Sequence, residues 1–165
     1  RIVAAELGAE DWVLNEHGGT EILQVAPARV HFTQGEEHIA CLRFGEAGTF
    51  RWYAECCNTP IANTTQPSFP FIGLNHAFIE ADLSSKTADI GPVRWHVQTQ
   101  HAADSWPEDQ KRIGFPTGLT LSVMLKVLGW KIRGLSTPNP LFTEAGHPRV
   151  QPRLVAPERK ASAPA

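Results

Sequence analysis

Two of the three cysteines in this chain stand side by side, in the segment Arg51-Trp52-Tyr53-Ala54-Glu55-Cys56-Cys57-Asn58-Thr59-Pro60. Thiolates at the mouth of a turn can hold soft metals, act as nucleophiles or exchange with disulfides. A structural zinc site takes four Cys or His ligands, commonly as two pairs on tight turns, and a Cys-x-x-Cys spacing lets both sulfurs of a pair converge. Here Ala54 stands where that spacing would put the first cysteine, so Cys57 and Cys56 are the metal-ligand candidates left. Adjacent side chains on a strand point to opposite faces, which would separate these two sulfurs. Cys41 could join them only if hairpin register allowed it. The histidines (His17, His31, His38, His76, His96, His101, His147) are scattered without metal-type spacing. A nucleophilic or redox thiol would need a histidine to lower its pKa, and only His38 or His76 could approach, through the fold.

The chain that must position these groups has 165 residues, enough for one domain with a buried core. Its formal charge of −2 is unevenly spread. From Lys126 onward seven basic residues face two acids, a net of +5, and the remainder carries −7. An acidic body argues against nucleic-acid binding, which wants a basic folded surface with exposed aromatics. The basic end reads as a solvated tail or one docked on the body. Three cysteines do not make a disulfide framework and fit a reducing cytoplasm, and the first residues carry no signal-peptide pattern. Asn63-Thr64-Thr65 matches a glycosylation triplet, with no sign of secretion to give it meaning.

Residues 2–17 predict a short N-terminal helical region, stopped by Gly18-Gly19. The period then changes. Residues 22–25, 29–33, 38–44 and 49–53 are rich in β-branched and aromatic side chains and predict strands. The last two form a hairpin about residues 45–48, with Leu42 and Phe44 on one side and Cys41 and Arg43 on the other. Pro60, Pro67 and Pro70 predict interrupted structure over 58–75. Further strands are expected at 77–80 and 93–98, and a polar loop at 104–116. A helix is expected over 119–133, its apolar face Leu121, Met124, Leu125, Leu128 and Ile132 opposed to a stripe of Ser122, Lys126, Gly129 and Arg133. It is too short and too charged to span a bilayer, and packing on the sheet is preferred over a membrane surface. The chain divides into one domain over 1–155 and a disordered tail over 156–165.

Residues 51–61 resemble the second half of the zinc site in the glutathione-dependent formaldehyde-activating enzymes and their centromere protein V relatives. That motif runs aromatic, Cys, Pro, any residue, Cys, Gly, Thr or Ser, Pro. Tyr53, Cys57, Thr59 and Pro60 match it, while Ala54 replaces the first Cys and Asn58 replaces Gly. The likeness covers residues 20–65, and is nearest to a bacterial branch with a degenerate motif. It implies a mainly β fold of β-tent type, with antiparallel sheets between a short N-terminal helix and a C-terminal amphipathic helix. In the family the remaining zinc ligands lie in N-terminal Cys-x-Cys and Cys-x-Cys-x-x-Cys groups, and no cysteine precedes Cys41 here. The expectation is therefore a binding or structural domain with no cofactor of its own, zinc being the one the resemblance would allow. The alternative is a carbon–sulfur lyase whose zinc ligands come from a further N-terminal part. Trp52, Tyr53 and Trp95 are the expected ligand-site residues. The expected partners are a small molecule and a second copy through the last helix, with neither nucleic acid nor membrane.

Overall fold

A computed structural model of the chain describes residues 1–79, 91–103 and 106–156. Six strands form one sheet in the order β1-β5-β4-β3-β2-β6: β1 (Ile22–Val25), β2 (Ile39–Phe44), β3 (Phe50–Ala54), β4 (Thr59–Thr64), β5 (Ile72–Asn75) and β6 (Arg153–Val155). All neighbours are antiparallel except β2 and β6, which run parallel, so the fold is a mixed sheet with a few helices rather than purely antiparallel.

The predicted β2–β3 hairpin is present, pairing Ile39 with Ala54 and Leu42 with Arg51. Its turn holds Gly45 at φ 82°, and at Gly48 a Cβ would meet the Phe44 carbonyl oxygen at 2.8 Å, so a side chain is barred there. Strand alternation splits the core in two. Cys41, Phe50, Trp52, Ile61 and Ile72 pack on one face with Val30, Leu141 and Phe142. Leu42, Tyr53 and Val155 pack on the other with Ala4, Leu7 and Val13. The helical N-terminus covers this second face as two short pieces, α1 (Ile2–Leu7) and α2 (Glu10–Val13). Gly8 divides them, in the left-handed conformation at φ 62°, its N–H donating to the carbonyls of Ala4 and Ala5.

The first face is covered by a strap, residues 138–150. Phe50 and Trp52, two apart on β3, stack at 6.0 Å, and Phe142 meets both edge-on at 5.2 and 5.5 Å. The strap closes on itself: Thr143 N–H donates to His147 O and Arg149 N–H to Leu141 O.

Several expected elements differ. Residues 58–75 contain β4 and β5; Pro60 is tolerated because the β3–β4 register shifts between Trp52 and Tyr53, leaving Pro60 opposite Tyr53 at the irregularity. Residues 29–33 are not a strand: a 3₁₀ turn at Pro27–Arg29 precedes an unpaired segment. The strand expected at 77–80 is replaced by a 3₁₀ turn over His76–Phe78, capped by Asn75 accepting from Ala77 N–H, and Glu80 lies outside the described residues. Among the described residues, 93–98 pair with no strand, and Val93 to Gln98 lie exposed. The loop expected at 104–116 carries a 3₁₀ turn over Glu108–Gln110; of the expected tail, 157–165 lie outside the described residues.

The last helix, α3 (Thr117–Ile132), forms as expected but turns the other way. Leu119 and Val127 are its buried residues, with Ser122, Val123 and Trp130 half-buried, and Lys126 donates from this side to Gln24 on β1 at 2.9 Å. The face expected to pack on the sheet is in solvent: Leu121, Met124, Leu125, Leu128 and Ile132 are 50–77% exposed. The physical reason is that apolar residues surround this helix, so its sequence does not choose a single inward stripe.

Candidate functional site

Two constellations stand on the β2–β3 region. The first is a cleft of about 420 Å³ over the β3 tryptophan, between the 3₁₀ turn Glu36–His38 and the strap. Its apolar part is Trp52, Ile39, Leu141 and Val150, and its charged part is Glu36 and Glu37 from the turn and Arg149 from the strap. A smaller hollow of about 190 Å³, reaching His31 and Phe32, adjoins it through Glu36, Pro140 and Arg149. Neither Glu36 nor Arg149 forms an ion pair among the described residues. The volume is that of a small-ligand site, an apolar surface with a few polar groups at the rim.

Trp52 is fixed there by more than packing. It is 1% exposed, and its indole Nε1–H donates to Thr64 Oγ1 at 2.8 Å, diagonally across β3–β4. Of the three residues expected to line a ligand site, only Trp52 borders this cleft. Tyr53 points to the other sheet face, buried against the α1–α2 side, where the Arg153 guanidinium pairs with Glu6 at 2.8 Å. Trp95 lies at the start of α3, its ring over Gly118, where a Cβ would come within 3.1 Å of Cη2. Arg149 and Glu36 had no signal in the sequence, since only the folded strap brings them together.

The second constellation is the cysteine pair. The residues between paired Ala54 and Thr59 form a four-residue hairpin turn, Glu55 to Asn58. Cys57 N–H donates to Ala54 O at 3.4 Å, and Asn58 takes the left-handed conformation at φ 57°. Both thiols are exposed, with their sulfurs 3.8 Å apart. The expectation that neighbouring cysteines diverge fails because they stand on a turn, where pleat alternation no longer applies. Cys57 Sγ and Thr59 Oγ1 are 3.0 Å apart, and hydrogen bonds from the Thr59 side chain and main chain hold the Cys57 pKa below its ordinary value. The bond that Cys56 shares with Cys57 pushes Cys56 up instead. Cys41 belongs elsewhere, buried in the core, where desolvation pushes its thiol up to about 12.

Among the described residues, no group of three or more His, Cys, Asp and Glu is placed to hold a metal ion. A four-ligand structural zinc site is therefore not met by Cys56 and Cys57, and neither is a catalytic zinc on three thiolates. His38 comes near the pair through its backbone, its carbonyl accepting from Glu55 N–H at 2.8 Å.

A family model covers residues 1–151, nearly the whole described fold. The chain belongs to DUF6151, a family of unknown function. The match takes in the hairpin, the cysteine turn and the strap up to Val150, so both constellations lie within the family domain. No curated protein matches the chain, and no solved structure matches it. No described helix is long and apolar enough to cross a membrane.

Proposed function

We propose that this family domain is a binding protein whose ligand site is the cleft over Trp52, and that its ligand is a small zwitterion with an apolar body. One observation carries the reading: an apolar floor between acidic and basic rims that are not paired with each other. An ammonium group meets Glu36 and Glu37, a carboxylate meets the planar fork of Arg149, and the apolar body lies on the half-buried Ile39 and Val150, above Trp52 and Leu141. The test is an amide-detected NMR titration with phenylalanine, a leucyl-phenylalanine dipeptide, N-acetylphenylalanine and phenethylamine as probes. Shifts are expected at Ile39, Leu141 and Val150 for the zwitterions, weaker for the two probes lacking one charge, and lost in Arg149→Glu. No shift at these amides with any probe overturns the reading.

The β-tent kinship belongs with this proposal. It is supported by the hairpin that presents Cys57, Thr59 and Pro60 in order, and by Asn58 adopting the conformation of the glycine it replaces in that motif. The lyase alternative would need thiolates that the described residues do not bring to Cys57, so a binding role is preferred.

A second observation supports the expected homodimer. α3 is apolar on its outward side as well as its inward side, and a helix apolar all round is normally covered on both. Leu121, Leu125, Leu128 and Ile132 follow helical spacing, no charge interrupts them, and Ile113 and Phe115 stand exposed just ahead of the helix. Together these side chains expose on the order of 800 Å² per copy, the size of a standard interface. An uncharged stripe of this kind is self-complementary about a two-fold axis, which makes a second copy its occupant.

A further inference from the structure

The turn that ends β3 places two free, exposed sulfurs on one side of a loop tip, which is more than a remnant of a motif requires. Their separation of 3.8 Å suits some chemistries and not others. A disulfide would need the sulfurs at about 2.05 Å, and adjacent residues put their Cα atoms about 3.8 Å apart, short of the usual disulfide range. Direct S–S closure is thus disfavoured. One atom bridging both sulfurs is not: two bonds of about 2.3 Å, the zinc–thiolate length, span roughly 3.3 Å at a pyramidal centre and about 3.8 Å at a tetrahedral one, so either is reached with a shift of a few tenths of an ångström at most. The number of donors then decides which bridging atom fits. With two thiols and no third His, Cys, Asp or Glu in place among the described residues, a four-coordinate metal is left half-liganded. A centre with two open valences is satisfied.

We propose that Cys56 and Cys57 form a vicinal dithiol site that chelates trivalent arsenicals carrying one organic substituent. The step balances without an oxidant or reductant. Cys57, its thiol proton already released to water, attacks the arsenic of R–As=O as the thiolate; the electron pair of the As=O π bond goes to the oxygen, which takes a proton from water. Cys56 adds second, its proton going to that oxygen, which leaves as water; two As–S bonds replace the As=O bond. The order follows from the surroundings, since Thr59 hydrogen-bonds the Cys57 sulfur and not that of Cys56. Ring closure costs little because the turn already holds both sulfurs on one side. Cys41 takes no part, being buried in the core on β2.

The test uses the full chain, reduced, with phenylarsine oxide as probe. Intact-mass measurement is expected to show one phenylarsine per chain, mapped by digestion to the peptide holding Cys56 and Cys57. The adduct should survive excess 2-mercaptoethanol and be removed by 2,3-dimercaptopropanol. Cys56→Ala and Cys57→Ala, both at exposed turn positions, should each lower the monothiol concentration needed for release by on the order of a hundredfold, the loss expected when a two-point attachment becomes one. Thr59→Val should slow capture several-fold at neutral pH while leaving the final adduct intact. Release by monothiol as readily from the unmodified chain as from Cys56→Ala overturns the proposal, as does an adduct at Cys41. So does loss of the reactive pair to an intramolecular disulfide under these conditions. Arg149→Glu should leave capture unchanged, so failure here and failure of the cleft reading are separable.

Discussion

The bond between Trp52 Nε1 and Thr64 Oγ1 holds the cleft floor in place, and its worth follows from where it sits. The two residues are 1% and 2% exposed, and the bond is 2.8 Å long. Thr64→Val keeps the side-chain shape and leaves the indole N–H without an acceptor, which costs about 1–3 kcal/mol. Trp52→Phe strands the threonine hydroxyl and also opens a void beneath Phe142, adding roughly 1–2 kcal/mol. In the double variant neither group is left unpaired, so it should be less destabilised than the two singles predict, by a coupling of about 1–2 kcal/mol. Urea unfolding followed by far-ultraviolet circular dichroism measures all four corners of the cycle. For a domain of this size, a loss of about 2 kcal/mol lowers Tm by roughly 4–8 °C. Additive single variants, or a Thr64→Val variant as stable as the parent, would refute the reasoning, because the indole N–H would then have another partner.

Alkaline pH should act through Cys41. Its folded pKa, about 12, lies above the ordinary 9.0, so its contribution is fully present below pH 9 and is lost as pH rises toward 12. Stability is expected to fall there with a slope of at most about 1.4 kcal/mol per pH unit, and Cys41→Ala should remove that slope in urea titrations from pH 8 to 11. Cys57, shifted the other way, should react with iodoacetamide at lower pH than Cys56, and Thr59→Val should narrow the gap, read by quantitative mass mapping. Asn58→Ala should cost roughly 1 kcal/mol because alanine pays for the left-handed conformation at φ 57°, whereas Asn58→Gly should be neutral within about 0.5 kcal/mol in the same assay. Leu125→Glu combined with Leu128→Glu should convert a dimer to a monomer in light scattering without lowering Tm of the monomer, since both side chains are already exposed. A parent chain that stays monomeric at high concentration refutes the α3 interface.

The sequence made legible those elements whose pattern is local. β1, β2 and β3 carry β-branched and aromatic runs, and the sides assigned to Cys41 and Leu42 are those the two core faces show. β4 was hidden by Pro60, because a bulge opposite a proline is a property of strand pairing and not of the strand. β6 is three residues in parallel with β2, and no short-range signal specifies such a closure. α3 was placed correctly and faced wrongly, because nine apolar side chains leave periodicity no single direction. The cleft was half legible. Trp52 sits on a recognisable strand, but Arg149 reaches its rim only because Phe142 anchors the strap against Phe50 and Trp52.

The two constellations are not independent, and the 3₁₀ turn Glu36–His38 is the reason. Its acids form one wall of the cleft, and the same turn carries the His38 carbonyl that accepts from Glu55, the first residue of the cysteine turn. The hydrogen bond with Cys57 is the main cause that raises the Cys56 pKa, and the negative charge of Glu37 adds the smallest contribution in the same direction. A cation bound at Glu36 and Glu37 offsets that charge and, by linkage, makes the Cys56 thiolate easier to form. A ligand bound only at Arg149, on the strap, leaves the turn as it is. The order of effects on Cys56 alkylation should therefore be phenethylamine above N-acetylphenylalanine, each compared at its own saturation. Equal acceleration by both would show that the turn does not connect the sites, and that cleft and cysteine pair share a sheet edge without sharing electrostatics.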